Sequence, residues 1–394
     1  MKTHLLNTTF ALVLISLGYF ATDIYLPSLP SMSQYFHTSE LLTQMTLFSY
    51  MLSFSFTPLV FGPLSDNIGR KKVIICGLFI SLLATVGCSF SPSINWLITF
   101  RFIQGIGTGA VMISARAMIP DLYSGKALAK QISIITMFMP LVLAFAPTLG
   151  GFLQEAYGWR SIFLFLIFYI FLIFFKMSFF TESLKESSAR KLSELIPIYL
   201  EIFENRSFIL FGMGMVFPTI GLFAYLTASP YLFQKVVGLS PSEYGMLAIY
   251  IGSVIMLTSF LNARLLHYVP INALICVGIT LILVAGALML TFHLAGIVST
   301  WAILLPSLFY FSCLPFNLSN SASKAMSQIS KHYGAASALL SSIQFFAGAL
   351  GSLIFSLIKE SSALPLSLCF LLVGIFTLFF LFLARKYETE ALGS

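Results

Sequence analysis

Twelve apolar runs, parted by short polar joints, leave this chain few folds to choose from. They fall at approximately 5–30, 42–62, 73–91, 95–119, 129–153, 160–181, 207–234, 242–264, 270–292, 298–322, 335–358 and 363–385. A helix crosses the ~30 Å hydrocarbon core of a bilayer with about 20 predominantly apolar residues. In lipid the backbone must satisfy its own hydrogen bonds, so runs of this kind are helices. Composition agrees: 58% of the residues are hydrophobic and 9% charged, where a soluble domain carries about 25% charged residues. The expected fold class is an all-α membrane protein of 12 transmembrane helices.

One long polar break, "TESLKESSARKLSELIPIYLEIFENR" at 181–206, divides the series into six and six. The expected domains are a six-helix bundle over 1–181, a linker over 182–206 and a second six-helix bundle over 207–394. Within the linker, Leu192, Leu195, Ile196, Tyr199, Leu200 and Phe203 recur at helical spacing. That spacing suits an amphipathic helix lying along the membrane surface; a flexible tether is the duller alternative. Two bundles joined in this way form a transporter arrangement, able to rock around a site between them.

Placing the N-terminus in the cytoplasm assigns sixteen of the 21 Lys and Arg residues to the inner side. Three fall outside, Arg160, Lys235 and Lys359, and Arg101 and Arg116 fall within a span. Cytoplasmic loops are enriched in Lys and Arg, so both termini are expected in the cytoplasm. The start, "MKTHLLNTTFALVLISLGYF", lacks a small-residue cleavage motif and reads as an uncleaved first span. The net charge of +7 forms no basic stripe interleaved with aromatics, so no nucleic-acid partner is expected. All five cysteines sit in apolar stretches as small buried residues, without a C-x-x-C pair, and the five histidines are scattered near span ends. Neither a disulfide framework, a metal site nor a cofactor is indicated. With no catalytic cluster and no added soluble domain, a membrane enzyme or sensor is disfavoured.

Certain stretches carry more specific chemistry. "GPLSDNIGRKKVI", 62–74, reads as a loop in which Gly62 and Gly69 allow tight turns and close helix approach. Across a turn-forming Asn67, Asp66 faces Arg70, Lys71 and Lys72. Such a cluster can latch neighbouring helices together; a plain positive-inside anchor is the alternative. "GIGTGA", 105–110, has no strand before it and is no nucleotide cradle. Its Gly105 and Gly109 make a small-xxx-small face, with Gly107 adding further small surface. Pro147 with Gly150 and Gly151 predicts a kink or a close contact in the fifth span.

Asp23, in "YFATDIYLPSLP", is the one acidic residue of fourteen that lies well within an apolar run. An aspartate at the centre of a span costs ~2.5–3.5 kcal/mol on insertion scales, and ionisable residues there are functional by default hypothesis. Burial disfavours the charged carboxylate, so Asp23 is expected to bind and release a proton as water or a cation approaches. Pro27 and Pro30 beside it free backbone carbonyls that can line a cavity. The bland alternative is a fixed ion pair with Arg101 or Arg116. Arg101 itself reads either as a structural pin on backbone carbonyls or as the group that keeps Asp23 responsive. Arg116 reads as a gate or an anchor.

The 62–74 stretch resembles the signature loop of the major facilitator superfamily. "LITFRFIQGIGTGA", 97–110, is similar to the fourth-helix motif of that superfamily, with Arg101 as its buried arginine. "FAPTLGGFL", 145–153, resembles its fifth-helix antiporter motif, although Ala146 stands where the family usually has glycine. "ATDIYLPSLP", "GWRSIFLF" and "FAYLTASPYLFQKVVGLSPSEYG" resemble the bicyclomycin/chloramphenicol-resistance type, the Bcr/CflA branch of drug:proton antiporters. "ARAMIPDLYSG" and "GAASALLSSIQFFAGALG" fit the same branch, with Pro120 where relatives commonly carry a second arginine.

The resemblance implies a monomeric, multi-pass exporter of the bacterial inner membrane. Its coupling ion is the proton and its substrates are drugs, antibiotics or related amphipathic small molecules. It implies proton-coupling roles for Asp23 and Arg101. The remaining cavity is expected from polar and aromatic positions in the spans: Tyr25, Tyr50, Phe54, Arg116, Met137, Phe138, Tyr225, Tyr231, Asn317, Asn320 and Gln344. A dedicated exporter of an endogenous metabolite, such as a polycarboxylate siderophore, is the alternative; Arg101, Arg116 and Lys324 would suit such an anion.

Overall fold

The computed structural model describes residues 2–178, 180–184, 192–358 and 362–393. Lys359 and linker residues 185–191 therefore lie outside the described residues. Among the described residues all regular structure is helical: α1 (Lys2–Asp23), α2 (Leu29–Tyr35), α3 (Glu40–Ile68), α4 (Arg70–Ser89), α5 (Ile94–Leu122), α6 (Gly125–Tyr157), α7 (Trp159–Ser178), α8 (Leu192–Glu204), α9 (Arg206–Tyr231), α10 (Pro241–Leu265), α11 (Ile271–Leu294), α12 (Thr300–Leu314), α13 (Asn320–Ser327), α14 (Tyr333–Ser356) and α15 (Leu364–Gly393). Among the described residues, twelve segments are long and apolar enough to cross a membrane, and they match the twelve runs of the sequence. The helices generally outrun the apolar runs because their polar end turns stay helical. α6, for instance, begins at Gly125 and takes in Lys126 ahead of the apolar run.

Three spans are interrupted. A 3₁₀ turn, Leu26–Ser28, separates α1 from α2. π-helical turns extend α9 through Leu232–Val237 and join α12 to α13 through Pro315–Ser319. The linker helix is α8, with Leu195 and Ile202 buried and Ile196, Leu200 and Phe203 exposed along one row. Of the cysteines, only Cys88 and Cys313 are buried; Cys76 is exposed and Cys276 and Cys369 are intermediate. The apolar stretch around a cysteine does not say which helix face it occupies, and Cys76 falls on the outer one.

The helices gather into two compact units. One comprises Met1–Glu194 with Ser240–Ile249, and the other Leu195–Leu239 with Tyr250–Ser394. In the first, α5 packs against α1, α3 and α4. Apolar burial drives no association between helices in lipid, so close approach over small residues matters. Gly105 and Gly109 lie against Tyr50, Ser53 and Thr57 of α3, and Gly107 lies against Gly77 and Ser81 of α4. In the second unit, α9 packs on α13, α14 and α15, and α11 packs on α12 and α15.

The 62–74 stretch is tighter than the loop expected. α3 runs to Ile68 and α4 starts at Arg70, so Gly69 alone forms the joint, at φ +105°. Asn67 is helical rather than turn-forming. Gly62 also lies within α3, where an added Cβ would meet only Ile113 at 3.9 Å. It provides neither a turn nor a close approach. Continuous i→i−4 bonding through Ile68 costs less than an open loop at a lipid boundary.

Candidate functional site

The break in the first span sits directly after Asp23. In a helix the Asp23 carbonyl would accept from residue 27, but Pro27 has no N–H and its ring clashes with that carbonyl. Pro30 sits in the first turn of α2, where a missing N–H is tolerated. The backbone passes through the 3₁₀ turn and resumes as α2, leaving Asp23 at the C-terminal end of α1 with only 5% of its surface exposed. No hydrogen bond or salt bridge reaches its carboxylate among the described residues. The fixed ion pair with Arg101 or Arg116 is therefore not formed in this structure.

Arg101 is fully buried and held from several sides. Nη1 donates to the Ala21 carbonyl at 2.8 Å and to Gln104 Oε1 at 2.6 Å. Gln104 Nε2 donates in turn to Thr85 Oγ1 at 2.8 Å. The guanidinium carbon lies 4.1 Å from the Tyr25 ring centroid and 4.3 Å from that of Tyr50. A desolvated cation–π contact is worth about 2 kcal/mol. Both rings are anchored: the Tyr25 hydroxyl meets Thr46 Oγ1 at 3.3 Å, and the Tyr50 hydroxyl donates to the Gly18 carbonyl at 3.0 Å and meets Thr108 Oγ1 at 2.7 Å. Phe54 stacks on Tyr50. Arg101 Nε and Nη2 have no hydrogen-bond partner. The Asp23 carboxylate is thus without a partner, the Arg101 guanidinium keeps two donors without one, and the backbone links them, since Arg101 bonds the Ala21 carbonyl two residues before Asp23.

The fifth-helix motif meets this site. Gly150 of α6 lies against the Ile24 carbonyl, one residue beyond Asp23, with no room for a Cβ. Gly151 likewise lies against the Pro241 carbonyl of α10, and Gly245 against the Pro147 carbonyl, though less tightly. Thr148 Oγ1 completes the seam by donating to the Gly245 carbonyl at 3.0 Å. The close contact foreseen for Pro147, Gly150 and Gly151 is formed.

The charged cluster around Gly69 draws in residues that the motif alone does not name. Arg70 forms a salt bridge with Asp66, donates through Nε to Asp121 Oδ2 at 2.9 Å and through Nη1 to Ser65 Oγ at 2.6 Å. Glu182 accepts from the Arg70 and Lys71 backbone N–H groups at 3.0 and 3.1 Å, capping α4 from the start of the linker. A Cβ on Gly69 would collide with that carboxylate. Span parity was the available signal for Asp121 and Glu182. The ends of spans two, four and six fall on the same side as this joint.

The other cavity candidates disperse. Arg116 is exposed and donates to the Tyr19 hydroxyl at 3.0 Å. Met137 and Phe138 are exposed on α6. Tyr225, Tyr231, Asn317, Asn320 and Gln344 belong to the second unit. There Asn320 and Asn262 donate to each other's side-chain oxygens at 2.9 and 3.5 Å, while Asn317, in the π-helical turn, packs against Gly278. Tyr225 meets Phe311 edge-on, Tyr231 is buried beneath Lys235, and Gln344 is half-buried. Arg160, of "GWRSIFLF", stacks on Tyr35 and Trp159 and donates to the Ser89 and Ser91 carbonyls at 3.1 and 3.4 Å.

The family profile described as Major Facilitator Superfamily matches residues 11–352. The chain belongs to that superfamily. Two relatives of this superfamily chain are similar over most of their length. Multidrug resistance protein D of Escherichia coli (strain K12) is 26% identical, covering 92% of this chain and 91% of its own. The bicyclomycin resistance protein homolog of Haemophilus influenzae is 25% identical over 89% of each. In fold, this superfamily member resembles the xylose transporter of E. coli in a partially occluded inward open conformation. The TM-score is 0.76 at 15% identity, over 98% of both chains. Family and fold are those of membrane transporters rather than enzymes.

Proposed function

We propose that this superfamily member exports small amphipathic molecules, drugs and antibiotics among them, in exchange for protons. It would act as a monomer in a bacterial inner membrane with both termini in the cytoplasm. The observation that carries the coupling is Asp23, buried and unpaired at a helix break, beside an Arg101 that keeps donors in reserve. In the proposed cycle, an arriving substrate favours loss of the Asp23 proton, and the charged carboxylate engages the free side of Arg101. Re-protonation from the opposite side of the membrane releases the cargo. Coupling of this kind requires the substrate to prefer one state over the other. The joint at Gly69, with Arg70 bridging Asp66 and Asp121, is proposed to latch one state, and the seam of Pro147, Gly150 and Gly151 to transmit changes at Asp23 to α6.

The substrate class follows the relatives, whose names refer to multidrug and bicyclomycin resistance. Export of a dedicated polycarboxylate metabolite is not favoured. Lys324 pairs with Glu388 at 2.5 Å, which neutralises one of the cations such a cargo would need.

The test is proton release from purified wild type and Asp23→Asn in detergent, on addition of lipophilic cations, neutral antibiotics and a polycarboxylate. Release from wild type alone, with the drug-like compounds, is the expected result. Equal binding by both proteins without release would make Asp23 structural and remove the antiport reading.

A further inference from the structure

The segment that follows the break at Asp23 is gripped at both ends by an arginine stacked on a tyrosine. At its start the Arg101 guanidinium lies over Tyr25, 4.1 Å from the ring centroid. At its end Arg160 of α7 lies 4.6 Å from the ring centroid of Tyr35, the last residue of α2, and 4.3 Å from that of Trp159. Trp159 also meets Tyr35 and Phe36, at 5.6 and 5.4 Å between ring centroids. One turn along α7, Phe163 touches both grips: its centroid is 6.0 Å from that of Trp159 and 6.4 Å from that of Tyr25. At the break the helical ladder gives way to a bond from the Ser28 N–H to the Tyr25 carbonyl at 2.9 Å. Ser31 and Ser33 likewise donate within the segment, to the Ser28 and Pro30 carbonyls. The two arginines tie this self-bonded stretch to α5 and α7. Arg160 adds α4, through the Ser89 carbonyl at its end and the Ser91 carbonyl just beyond. The other end of α4 carries Arg70, and its 20 residues cover about 30 Å, one membrane thickness.

We infer that Arg160 is a positioning residue for the proton at Asp23: by clamping Tyr35 it holds α2 in place and keeps Asp23 closed to the membrane face opposite the Gly69 joint. The inference rests on the proposed proton exchange. An exchanger opens its carboxylate to one side at a time, since a carboxylate open to both passes protons without cargo. α2 is the stretch of the first span between Asp23 and that face, and Arg160 fastens its far end to two other helices. Arginine suits the task because one planar head both forks to carbonyls and stacks on rings. A residue that only capped α4 would need the two carbonyls and no tyrosine.

The experiment reconstitutes the purified full chain in vesicles and follows the decay of an imposed pH gradient without substrate. Wild type should hold the gradient. Tyr35→Leu removes the ring and leaves Arg160 on its two carbonyls; it should collapse the gradient about ten-fold faster. Tyr35→Phe keeps a ring under the guanidinium and should restore tightness. Arg160→Gln should leak at least as fast as Tyr35→Leu. Adding Asp23→Asn to either leaking variant should stop the leak, which it would not do in a bundle that had merely loosened. If Arg160→Gln does not fold, Tyr35→Leu, alone and with Asp23→Asn, still decides, since Tyr35 is half-exposed. A tight Tyr35→Leu overturns the inference, as does a leak that survives Asp23→Asn. Neither result touches the export reading. That reading falls if Asp23→Asn alone still releases protons on binding a drug-like compound, and this inference then falls with it.

Discussion

Arg101 is a residue whose chemistry lies in the shape of its head group as much as in its charge. The guanidinium bonds Ala21 and Gln104 at its edge and presses its faces on Tyr25 and Tyr50. Lysine keeps the charge but offers a compact ammonium, unable to stack on two rings and fork to two acceptors at once. Arg101→Lys is therefore expected to fold with a stability loss of about 1–3 kcal/mol. Coupled transport should fall at least ten-fold, because the hold on the Ala21 carbonyl, two residues before Asp23, loses its fixed direction. Thermal unfolding in detergent and proton-driven flux in vesicles read the two effects separately. Normal flux from Arg101→Lys would leave Arg101 as a charge with no directional task. At this scale the sequence was most legible where a residue was rare in its setting. Asp23 stood out as the lone acid within an apolar run. Gln104 and Thr85, which hold Arg101, did not, since single amides and hydroxyls are common in spans and their partners lie on other helices.

Helix packing makes a sharper distinction among glycines than motif reading does. Gly150 lies against the Ile24 carbonyl, and a methyl group there must push α6 away from the break beside Asp23. Gly62 has no comparable neighbour. Gly150→Ala should reach the membrane yet lose more than ten-fold in transport, whereas Gly62→Ala should stay within two-fold of wild type. Vesicle flux normalised to folded protein checks both. The Glu182 cap gives a second prediction. Removing a capping acceptor costs about 0.5–2 kcal/mol, so Glu182→Ala should raise hydrogen exchange at the Arg70 and Lys71 amides several-fold, while Glu182→Gln, which retains an acceptor, should raise it less. Unchanged exchange in Glu182→Ala would mean that the linker's start does not hold α4. The motif at 62–74 was readable as a charged cluster, but its geometry was not. Glu182 lies 112 residues from Arg70, and only the fold shows which helix end it serves.

Across the whole molecule, the apolar runs made the number of spans legible because the bilayer imposes one length on all of them. Interruptions within spans were less so. The prolines announced the break after Asp23, whereas the π-helical turn at Leu232–Val237 leaves no single-residue signature. Orientation rests on charge alone. With the N-terminus placed in the cytoplasm, counting spans along the sequence assigns Arg70, Lys71, Arg264, Lys324, Lys331 and Arg385 to the inner side and Arg160 and Lys235 to the outer. Inverting the chain would place the Lys- and Arg-rich joints outside, against the bias that governs insertion. Val298 is exposed in the joint before α12, and Tyr333 is exposed at the start of α14, one span later. In a cysteine-free background, Val298→Cys should therefore react with a membrane-impermeant thiol reagent in intact cells. Tyr333→Cys should react only after the membrane is opened. The reverse pattern would put the Gly69 joint, and with it the proposed latch, on the outer face.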